Sequence, residues 1–416
     1  MSLDEPSSVN TTAEATVRRS YGKLVAILSA RSHDVAGAED ALSEAFAAAL
    51  TDWSERGIPN NPEAWLLTVA RRRIVDAIRQ RGHGEQAVDY LQLLTALNSD
   101  DDEKKYLPDE RLSLMFVCAH PAIEQSVRAP LMLQTILGFD AATIASAFLI
   151  SPASMSQRLV RAKDKIRQAG IPFRIPNRAE LPERLEAVLD AVYAAFAEGW
   201  TDPAGTETRN RNLATEAIWL ARLVSALLPD EPEALGLLAL MLYAYARRSA
   251  RRSPSGAYIP LSDQDTKLWD EPLIMEAEKL LFSASNKSVA GRFQLEAAIQ
   301  SAHVVRRLTG RTDWQAIEKI YDVLYALTGS PVVVINRTIA IAETRGVDSA
   351  LAELETVAED KRLAQYQPYW AARAELLARS GKVEAAKLAF QQAIGLESDP
   401  AVRHFLQQRL SQCTRS

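Results

Sequence analysis

The sequence predicts an all-α protein, and two observations support this fold class. Alanine and leucine are abundant, whereas only 17 glycines are spread over 416 residues, a composition that favours helices. Apolar residues recur at helical spacing, and the alternation of β-branched residues that is typical of strands is scarce. The length is enough for about three domains, each able to bury a core.

Composition also limits the class of protein. The net charge is −5, so any binding to nucleic acid must come from local basic patches. Cys118 and Cys413 lie far apart and predict no disulfide framework, which fits a reducing cytoplasm. The longest apolar run, Ala234 to Ala246, is well short of the roughly 20 residues that span a bilayer. We therefore predict a buried helix there and no membrane segment.

After a polar arm over residues 1–13, helices are predicted near Glu14–Arg31 and Ala36–Trp53. The second helix has an apolar face, formed by Ala38, Leu42, Ala45 and Ala49. Acidic residues lie near its first half, namely Glu39, Asp40 and Glu44. These carboxylates either meet a basic partner or only interact with the positive end of the helix dipole.

The loop Gly57–Pro62 leads into a third helix that ends near Arg81. Asn61 can cap this helix and Pro62 can occupy its first turn. The predicted core face consists of Leu67, Ala70, Ile74 and Ala77, and the basic face of Arg71, Arg72, Arg73, Arg79 and Arg81. Trp65 and Thr68 lie just upstream. An aromatic ring beside a positive groove suits single-stranded DNA, because bases stack and phosphates bind cations; for Trp65 a core position is the alternative.

Two further helices joined by a tight turn at Leu149-Ile150 are predicted between residues 140 and 169. Asp140 can cap the first, and Ser151 followed by Pro152 can open the second. The second helix has one apolar stripe, Met155, Leu159, Ala162 and Ile166, and a neighbouring polar stripe, Ser154, Arg158, Arg161 and Lys165. A rotation of about 100° separates the two stripes, so a helix seated on the first can present the second to a DNA groove. The alternative is an ordinary solvated helix.

The C-terminal half continues with helices near Pro182–Glu198, Glu216–Leu228 and Ala234–Ala246. A basic run follows at Arg247, Arg248, Arg251 and Arg252, and it can cap the negative helix end. The next loop, Pro260–Asp270, is polar with Trp269 embedded in it; it either makes structural hydrogen bonds or binds something. Cys118 and His120 are close in sequence, but two ligands without a second pair predict a core position and no metal site.

From residue 291 the sequence repeats at a period of about 35 residues. Gly310, Gly346 and Gly381 each close one helix and precede another. This period predicts paired helices that stack into a concave surface. The polar residues His303, Asn336 and Arg337 either line that surface or make buried bonds to loop ends.

Together, the segment Ala38–Phe46, the helix from Asn61 to Arg81, the linker and the helix pair at 140–169 resemble a bacterial extracytoplasmic-function (ECF) sigma factor. The resemblance covers about residues 14–175. It implies that the first domain is region 2, which opens the −10 element, and that the second is region 4, a helix-turn-helix that reads the −35 element. The implied partners are promoter DNA and core RNA polymerase, through its β′ clamp and its β subunit.

The resemblance also implies roles for individual residues. Binding to polymerase is assigned to Glu39, Asp40, Glu44 and Phe46. Binding to the −10 element is assigned to Asn61, Trp65, Thr68, Arg71, Arg72, Arg73 and Arg79, with a flipped base held by the loop at 54–61. Binding to the −35 element is assigned to Ser151, Ser154, Ser156, Gln157, Arg158, Arg161 and Lys165.

The stretch Gly170-Ile-Pro-Phe-Arg-Ile-Pro176 and the long tail resemble the ECF42 subgroup, which has a tetratricopeptide-like extension. The expected domains are region 2 in 1–82, a flexible acidic linker in 83–106, region 4 in 107–176, a helical extension in 177–290 and helical repeats in 291–416. We expect the extension to contact the sigma domains and to modulate their activity, because the linker alone cannot fix two DNA-reading domains.

The leading interpretation is a cytoplasmic transcription initiation factor that is not an enzyme and needs no cofactor or metal. The alternative is a one-component regulator that binds duplex DNA and senses a ligand or protein through the repeats. A hydrolase is disfavoured, because the sequence has no nucleophile elbow, phosphate loop or metal cluster.

Overall fold

The computed structural model describes residues 20–81, 109–148, 150–200, 208–287 and 290–413. Within these ranges the regular elements are helices, apart from one isolated bridge between Arg252 and Tyr258, so the predicted all-α class is confirmed. Contacts divide the chain into two compact units, Met1–Gly199 and Trp200–Ser416. We call them the N-terminal unit and the C-terminal unit. The predicted arm at 1–13 and the predicted linker at 83–106 lie outside the described residues.

The helical segments predicted for the N-terminal unit are confirmed where the structure describes them, and the structure adds two helices that were not predicted, Arg111–Cys118 and Gln125–Leu137. The N-terminal unit has eight described helices. They are α1 (residues 20–32), α2 (Val35–Arg56), α3 (Pro62–Arg81), α4 (Arg111–Cys118), α5 (Gln125–Leu137), α6 (Ala141–Ala147), α7 (Pro152–Gln168) and α8 (Leu181–Trp200). The predicted caps of α3, α6 and α7 are confirmed. Side chains of Asn61, Asp140 and Ser151 accept backbone N–H groups three residues on, at 3.1, 2.8 and 3.3 Å, which satisfies one orphan donor in each first turn.

The N-terminal unit packs closely at two places that matter for the site. A Cβ atom at Gly22 of α1 would lie 2.0 Å from the carbonyl oxygen of Ile136 in α5, so only glycine permits this approach of the two helices. Farther along, Arg184 Nη2 on α8 donates to the carbonyl oxygen of Phe116 at 2.6 Å. The compact unit therefore includes α8 and extends past residue 176, the expected end of the second domain.

The C-terminal unit is also helical. Its helices are α9 (Thr208–Leu227), α10 (Pro232–Ala246), α11 (Glu271–Ser285), α12 (Arg292–Val304), α13 (Arg306–Thr309), α14 (Trp314–Thr328), α15 (Pro331–Thr344), α16 (Val347–Glu355), α17 (Gln367–Arg379), α18 (Val383–Leu396) and α19 (Pro400–Cys413). Short 3-10 turns interrupt its loops, at Arg248–Ala250, Leu261–Asp263, Thr266–Leu268 and Lys361–Leu363.

Helices α10 and α12 are locked together at their N-termini. Both carboxylate oxygens of Glu233 on α10 accept backbone N–H groups of α12, from Phe293 at 2.9 Å and from Gln294 at 3.1 Å. This is a capping bond supplied by another helix. The expected domain boundary at 290/291 thus separates α10 from α12, although Glu233 of α10 caps α12.

From α14 onwards the helices come in sequential pairs, whose first members begin at Trp314, Val347 and Val383. The predicted glycine ends are confirmed: Gly310, Gly346 and Gly381 lie between helices with φ of 72°, 93° and 75°. Arg337 is bonded to Asp322 at 2.5 Å and to Glu353 at 2.8 Å. Both partners lie within helices, on α14 and α16, and not at loop ends, so Arg337 makes ion pairs between helices that neither of the two roles left open for it describes.

Candidate nucleic-acid interface

Helix α7 has the two stripes that its sequence predicts. Its apolar stripe is buried, with Met155, Leu159, Ala162 and Ile166 each at most 7% exposed. On the polar stripe Ser154 and Arg158 are half-buried, and Arg161 and Lys165 are exposed. Ser151, Ser156 and Gln157, at the start of the helix, are exposed as well. A rigid helix therefore presents three cations and several hydroxyl and amide groups on one accessible face, which suits phosphates and base edges.

The other side of α7 packs on α2, and a buried ion pair joins the two helices. Lys163 Nζ on α7 bonds to the carboxylate of Glu39 on α2, and both side chains are 11% exposed. Tyr21 donates its hydroxyl to the same carboxylate at 3.4 Å. A second, more exposed pair links Arg167 to Asp34 at 3.7 Å. One of the residues assigned to polymerase binding thus contacts the helix that was assigned to −35 binding, in the same chain.

Burial raises the pKa of the Glu39 carboxyl, and Lys163 opposes this effect. The helix dipole does not explain the position of Glu39, because α2 begins at Val35 and its first turn holds no acidic residue. For Glu39 the alternative of a helix-dipole interaction alone is wrong, and Lys163 is its basic partner. Asp40 and Glu44 are exposed and Phe46 is half-buried; Glu44 pairs with Arg73 of α3 at 3.3 Å.

Helix α3 provides the second basic face. Arg72 and Arg73 are exposed, Arg71 is half-buried, and the side chains of Arg79 and Arg81 lie outside the described part. On the core face Leu67, Ala70 and Ile74 are buried and Ala77 is half-buried. The face therefore combines two accessible guanidinium groups with a firmly seated helix.

Trp65 is partly a core residue and partly accessible. It is half-buried, and its ring meets the buried Trp53 edge-on at 5.6 Å between centroids. One part of the ring is thus core, as in other edge-to-face pairs, and the rest stays accessible beside the basic face. Thr68 is exposed, and its hydroxyl donates to the carbonyl oxygen of Ala64 at 2.8 Å.

The loop expected at 54–61 is shorter than the resemblance implies. Helix α2 continues through Arg56, so residues 54–56 are helical, and the chain leaves the helix only at Gly57, with φ of 83°. The Ser54 hydroxyl donates to the carbonyl oxygen of Leu50 at 2.7 Å, which keeps this turn helical. The loop start at Gly57 that the residues predict is confirmed, whereas the start at residue 54 that the resemblance implies is wrong. The loop assigned to a flipped base therefore comprises residues 57–61.

Three other features were sought among the residues that the structure describes: a metal site, a reactive thiol and a membrane-spanning helix. No three His, Cys, Asp or Glu side chains gather there as a metal site would require. Cys118 is fully buried beside the Thr135 hydroxyl, at 3.5 Å, and burial raises the pKa of its thiol to about 12. None of the described helices has both the length and the apolar character that crossing a membrane requires.

Parts of this chain match known protein families. The family model of sigma-70 region 2 matches residues 16–84, the segment that contains α1 to α3. A protein of Rhizobium meliloti (strain 1021), named "Uncharacterized protein R00370", is 37% identical over 379 residues, which cover 90% of this chain and 89% of that protein. The chain belongs to the family of R00370. A family of unknown function (DUF6596) matches residues 184–285, and no solved structure matches.

The region 2 match supports a sigma factor role for this family member, in RNA polymerase binding and transcription initiation.

The sequence did not reveal that Lys163 and Tyr21 bond to Glu39. Lys163 is 124 positions away from Glu39, and no periodic pattern links residues at such a distance. The one available signal was local: Lys163 follows Ala162 of the apolar stripe directly, at the edge of the buried face.

Proposed function

We propose that this protein is a sigma factor which directs core RNA polymerase to promoters, with region 2 opening the −10 element and the helix pair α6–α7 reading the −35 element. The observation that carries the proposal is the two-striped helix α7, which follows a region 2 domain in the same chain. In this role α6 and α7 form a helix-turn-helix. Helix α7 enters the major groove, where guanidinium groups bind guanine edges and phosphates.

At the −10 element, the exposed Arg72 and Arg73 hold strand phosphates, and the accessible part of Trp65 stacks on an unpaired base. Asn61, Thr68, Arg71 and Arg79 complete this set. Stacking and phosphate contacts together bind single strands with little dependence on sequence. Opening of the duplex is then driven by binding energy alone, so the protein needs no catalytic residue or cofactor.

Polymerase binds along α2, through Asp40, Glu44 and Phe46 on its accessible face. Glu39, the fourth residue of this set, is buried against Lys163. We infer that polymerase gains access to Glu39 only when α2 and α7 separate. The compact N-terminal unit is then the free form, and the polymerase complex is an open form.

The C-terminal unit is part of the proposed function. The 37% identity to R00370 covers 90% of the chain, so the family includes both units. The paired helices from α14 to α19 fit a tetratricopeptide-like extension of the ECF42 subgroup, and such stacked repeats bind protein segments. In this proposal the extension modulates the activity of regions 2 and 4 through contacts with them, and the protein acts in the cytoplasm, where polymerase is.

Transcription in vitro tests the proposal. Bacterial core polymerase is incubated with fragmented genomic DNA of the host, with and without the full chain, and transcript starts are mapped. We expect defined starts only with the protein present, and permanganate-reactive thymines at their −10 elements. Binding to duplex DNA without new starts would favour the one-component regulator, and absence of both would contradict a role on DNA.

A further inference from the structure

A polar loop in the C-terminal unit packs against a cluster of cationic side chains that are half-buried. The loop joins α10 to α11 and is fixed at both ends: Asp270 N donates to the carbonyl oxygen of Ala246 at 2.9 Å, and Ile259 N to that of Arg251 at 2.9 Å. Trp269, the aromatic residue of this loop, is only 4% exposed. A tryptophan so deeply placed in a polar loop indicates that the loop has a defined internal structure.

Two guanidinium groups lie against the Trp269 ring. The Cζ atom of Arg247, at the end of α10, is 6.0 Å from the ring centroid, and that of Arg306, at the start of α13, is 5.4 Å away. Burial and then the charges of Arg247 and Arg306 lower the pKa of His303 on α12 to about 4, and the His303 ring packs edge-on against Trp314, at 5.5 Å between centroids. Guanidinium groups from two separate elements therefore converge on the Trp269 indole.

These two arginines differ from the other arginines around the loop. Arg248 pairs with Asp270 at 3.4 Å, Arg307 with Glu271 at 3.3 Å, and Arg252 with Asp399. The carboxylates of Asp265 and Asp270 also cap the helical turns that follow them. The acidic groups nearest in the loop are thus already bonded to other partners.

Arg247 and Arg306 bond to neutral groups instead. Arg247 Nη2 donates to Gln300 Oε1 at 2.6 Å. Arg306 donates to the carbonyl oxygens of Leu261, Ser262 and Gln264, at 2.9, 2.9 and 3.3 Å. Among the described residues, neither guanidinium has a carboxylate partner. Two half-buried positive charges therefore lie close together, and within the described residues no carboxylate pairs with either of them.

Polar atoms in the cluster are also left without protein partners. Within the described residues, Arg247 Nε and Trp269 Nε1 are buried donors with no acceptor, and Gln264 Oε1 is a buried acceptor with no donor. Gln264 is 9% exposed and Trp269 4%. A buried polar group without a partner destabilises the fold, and three in one cluster indicate a place for a bound polar molecule.

We propose that this cluster binds a hydrogen phosphate group, either as inorganic phosphate or as a small phosphate monoester. A phosphate carries about −1.5 to −2 charges near neutral pH and several acceptor oxygens. Those charges match the two uncompensated guanidinium groups, and the oxygens accept from Arg247 Nε and Trp269 Nε1. The donor that Gln264 Oε1 lacks is supplied by the hydroxyl of inorganic hydrogen phosphate, or by an alcohol hydroxyl of a monoester such as glycerol 3-phosphate. A carboxylate would provide one charge and no donor, so it satisfies less of the cluster.

Calorimetric titration of the full chain with inorganic phosphate tests the proposal, in chloride buffer at constant ionic strength. Acetate is titrated separately as the carboxylate arm, and glycerol 3-phosphate as the monoester arm. We expect saturable binding of phosphate or of the monoester at one site per chain. Arg247→Gln should weaken it about tenfold or more, because a charge-assisted hydrogen bond contributes about 1.5–3 kcal/mol.

Two further variants make the result specific. Trp269→Phe keeps an aromatic ring and removes the N–H donor, so it should also weaken binding, and it replaces Arg247→Gln if that variant does not fold. Arg222→Gln removes an exposed arginine of the same unit, which pairs with Glu276, and should bind like the wild type. No saturable binding of phosphate and monoester, binding of acetate alone, or equal loss in Arg222→Gln would overturn the proposal. The transcription test is independent of all these outcomes.

Discussion

Glu39 is one residue on which two proposed activities depend, because it lies on the polymerase-binding helix and bonds to the DNA-reading helix. With both side chains 11% exposed, the Glu39–Lys163 pair is largely removed from water. In such a setting the loss of one partner is far more costly than the loss of both, since it leaves a buried charge alone. The pair thus fixes the relative placement of α2 and α7 without necessarily adding net stability.

We expect Lys163→Ala to lower the unfolding free energy of the N-terminal unit by about 3 kcal/mol. The double variant Glu39→Leu/Lys163→Met should recover most of that loss, because no buried charge remains. Urea unfolding followed by circular dichroism measures both. Arg174→Ala is the matched control: its pair with Glu180, at 3.1 Å, is about half exposed, so the change should cost under about 1 kcal/mol. Equal costs for Lys163→Ala and Arg174→Ala would contradict a buried pair.

His303 gives the C-terminal unit a predicted dependence on pH. Its pKa is lowered from 6.5 to about 4 by burial and by Arg247 and Arg306. Between these values the unfolded chain binds a proton that the folded chain does not, so stability falls as pH decreases through this window. From pH 7.5 to pH 5 the loss from this group is about 2 kcal/mol.

The measurement is urea unfolding at pH 7.5 and pH 5 in phosphate-free buffer. His303→Gln should reduce the difference between the two pH values by the share that His303 contributes, whatever its effect on stability at either pH. His404→Gln, which changes an exposed ring, should leave the difference as in the wild type. A His303→Gln variant with the full pH dependence would show that the ring titrates normally.

At the scale of elements, local signals in the sequence predicted the starts of α3, α6 and α7 but not every helix. Helix α9 begins at Thr208, whereas its start was predicted near Glu216. The side chains of Asn61, Asp140 and Ser151 bond to backbone groups three residues further on. The stripes of α7 likewise depend on residues three or four positions apart. The end of α2 was missed, because its last turn continues through the polar residues Ser54 to Arg56 before Gly57 stops it. Pairings between distant elements, such as Glu39 with Lys163 or Glu233 with α12, have no local pattern and required the structure.

Helix α7 carries a prediction of its own. Replacement of Arg158, Arg161 and Lys165 by alanine, singly and together, should weaken promoter binding by about 1–3 kcal/mol for each contact to a base edge. A contact to phosphate should instead lower the salt dependence by about one unit of slope. Binding titrations at several salt concentrations separate the two cases. Arg178→Ala, an exposed arginine beyond the helix, is the control for charge, and a triple variant with wild-type binding would exclude α7 as the reader.

At the scale of the whole molecule, the boundary between the compact units lies at 199/200. Helix α8 is part of the N-terminal unit, since Arg184 bonds to Phe116. A chain shortened at Pro176 would lose this helix and its contacts, so a change in its activity would not report on the extension. Gly199 is therefore the end point that separates the effect of the C-terminal unit from damage to the N-terminal unit.

We expect the chain 1–199 and the full chain to differ in promoter-directed transcription by about fivefold or more, the lower end of typical coupling between sites. The expectation rests on the proposed function, in which regions 2 and 4 change their relative placement to bind polymerase and the extension favours one placement over the other. Circular dichroism of chain 1–199 first verifies that its helices are intact. Limited proteolysis then compares cleavage within residues 83–106 in both chains, because that segment connects the two regions. If both transcription and cleavage are the same in the two chains, the extension does not regulate the sigma domains and acts instead as an independent binding module.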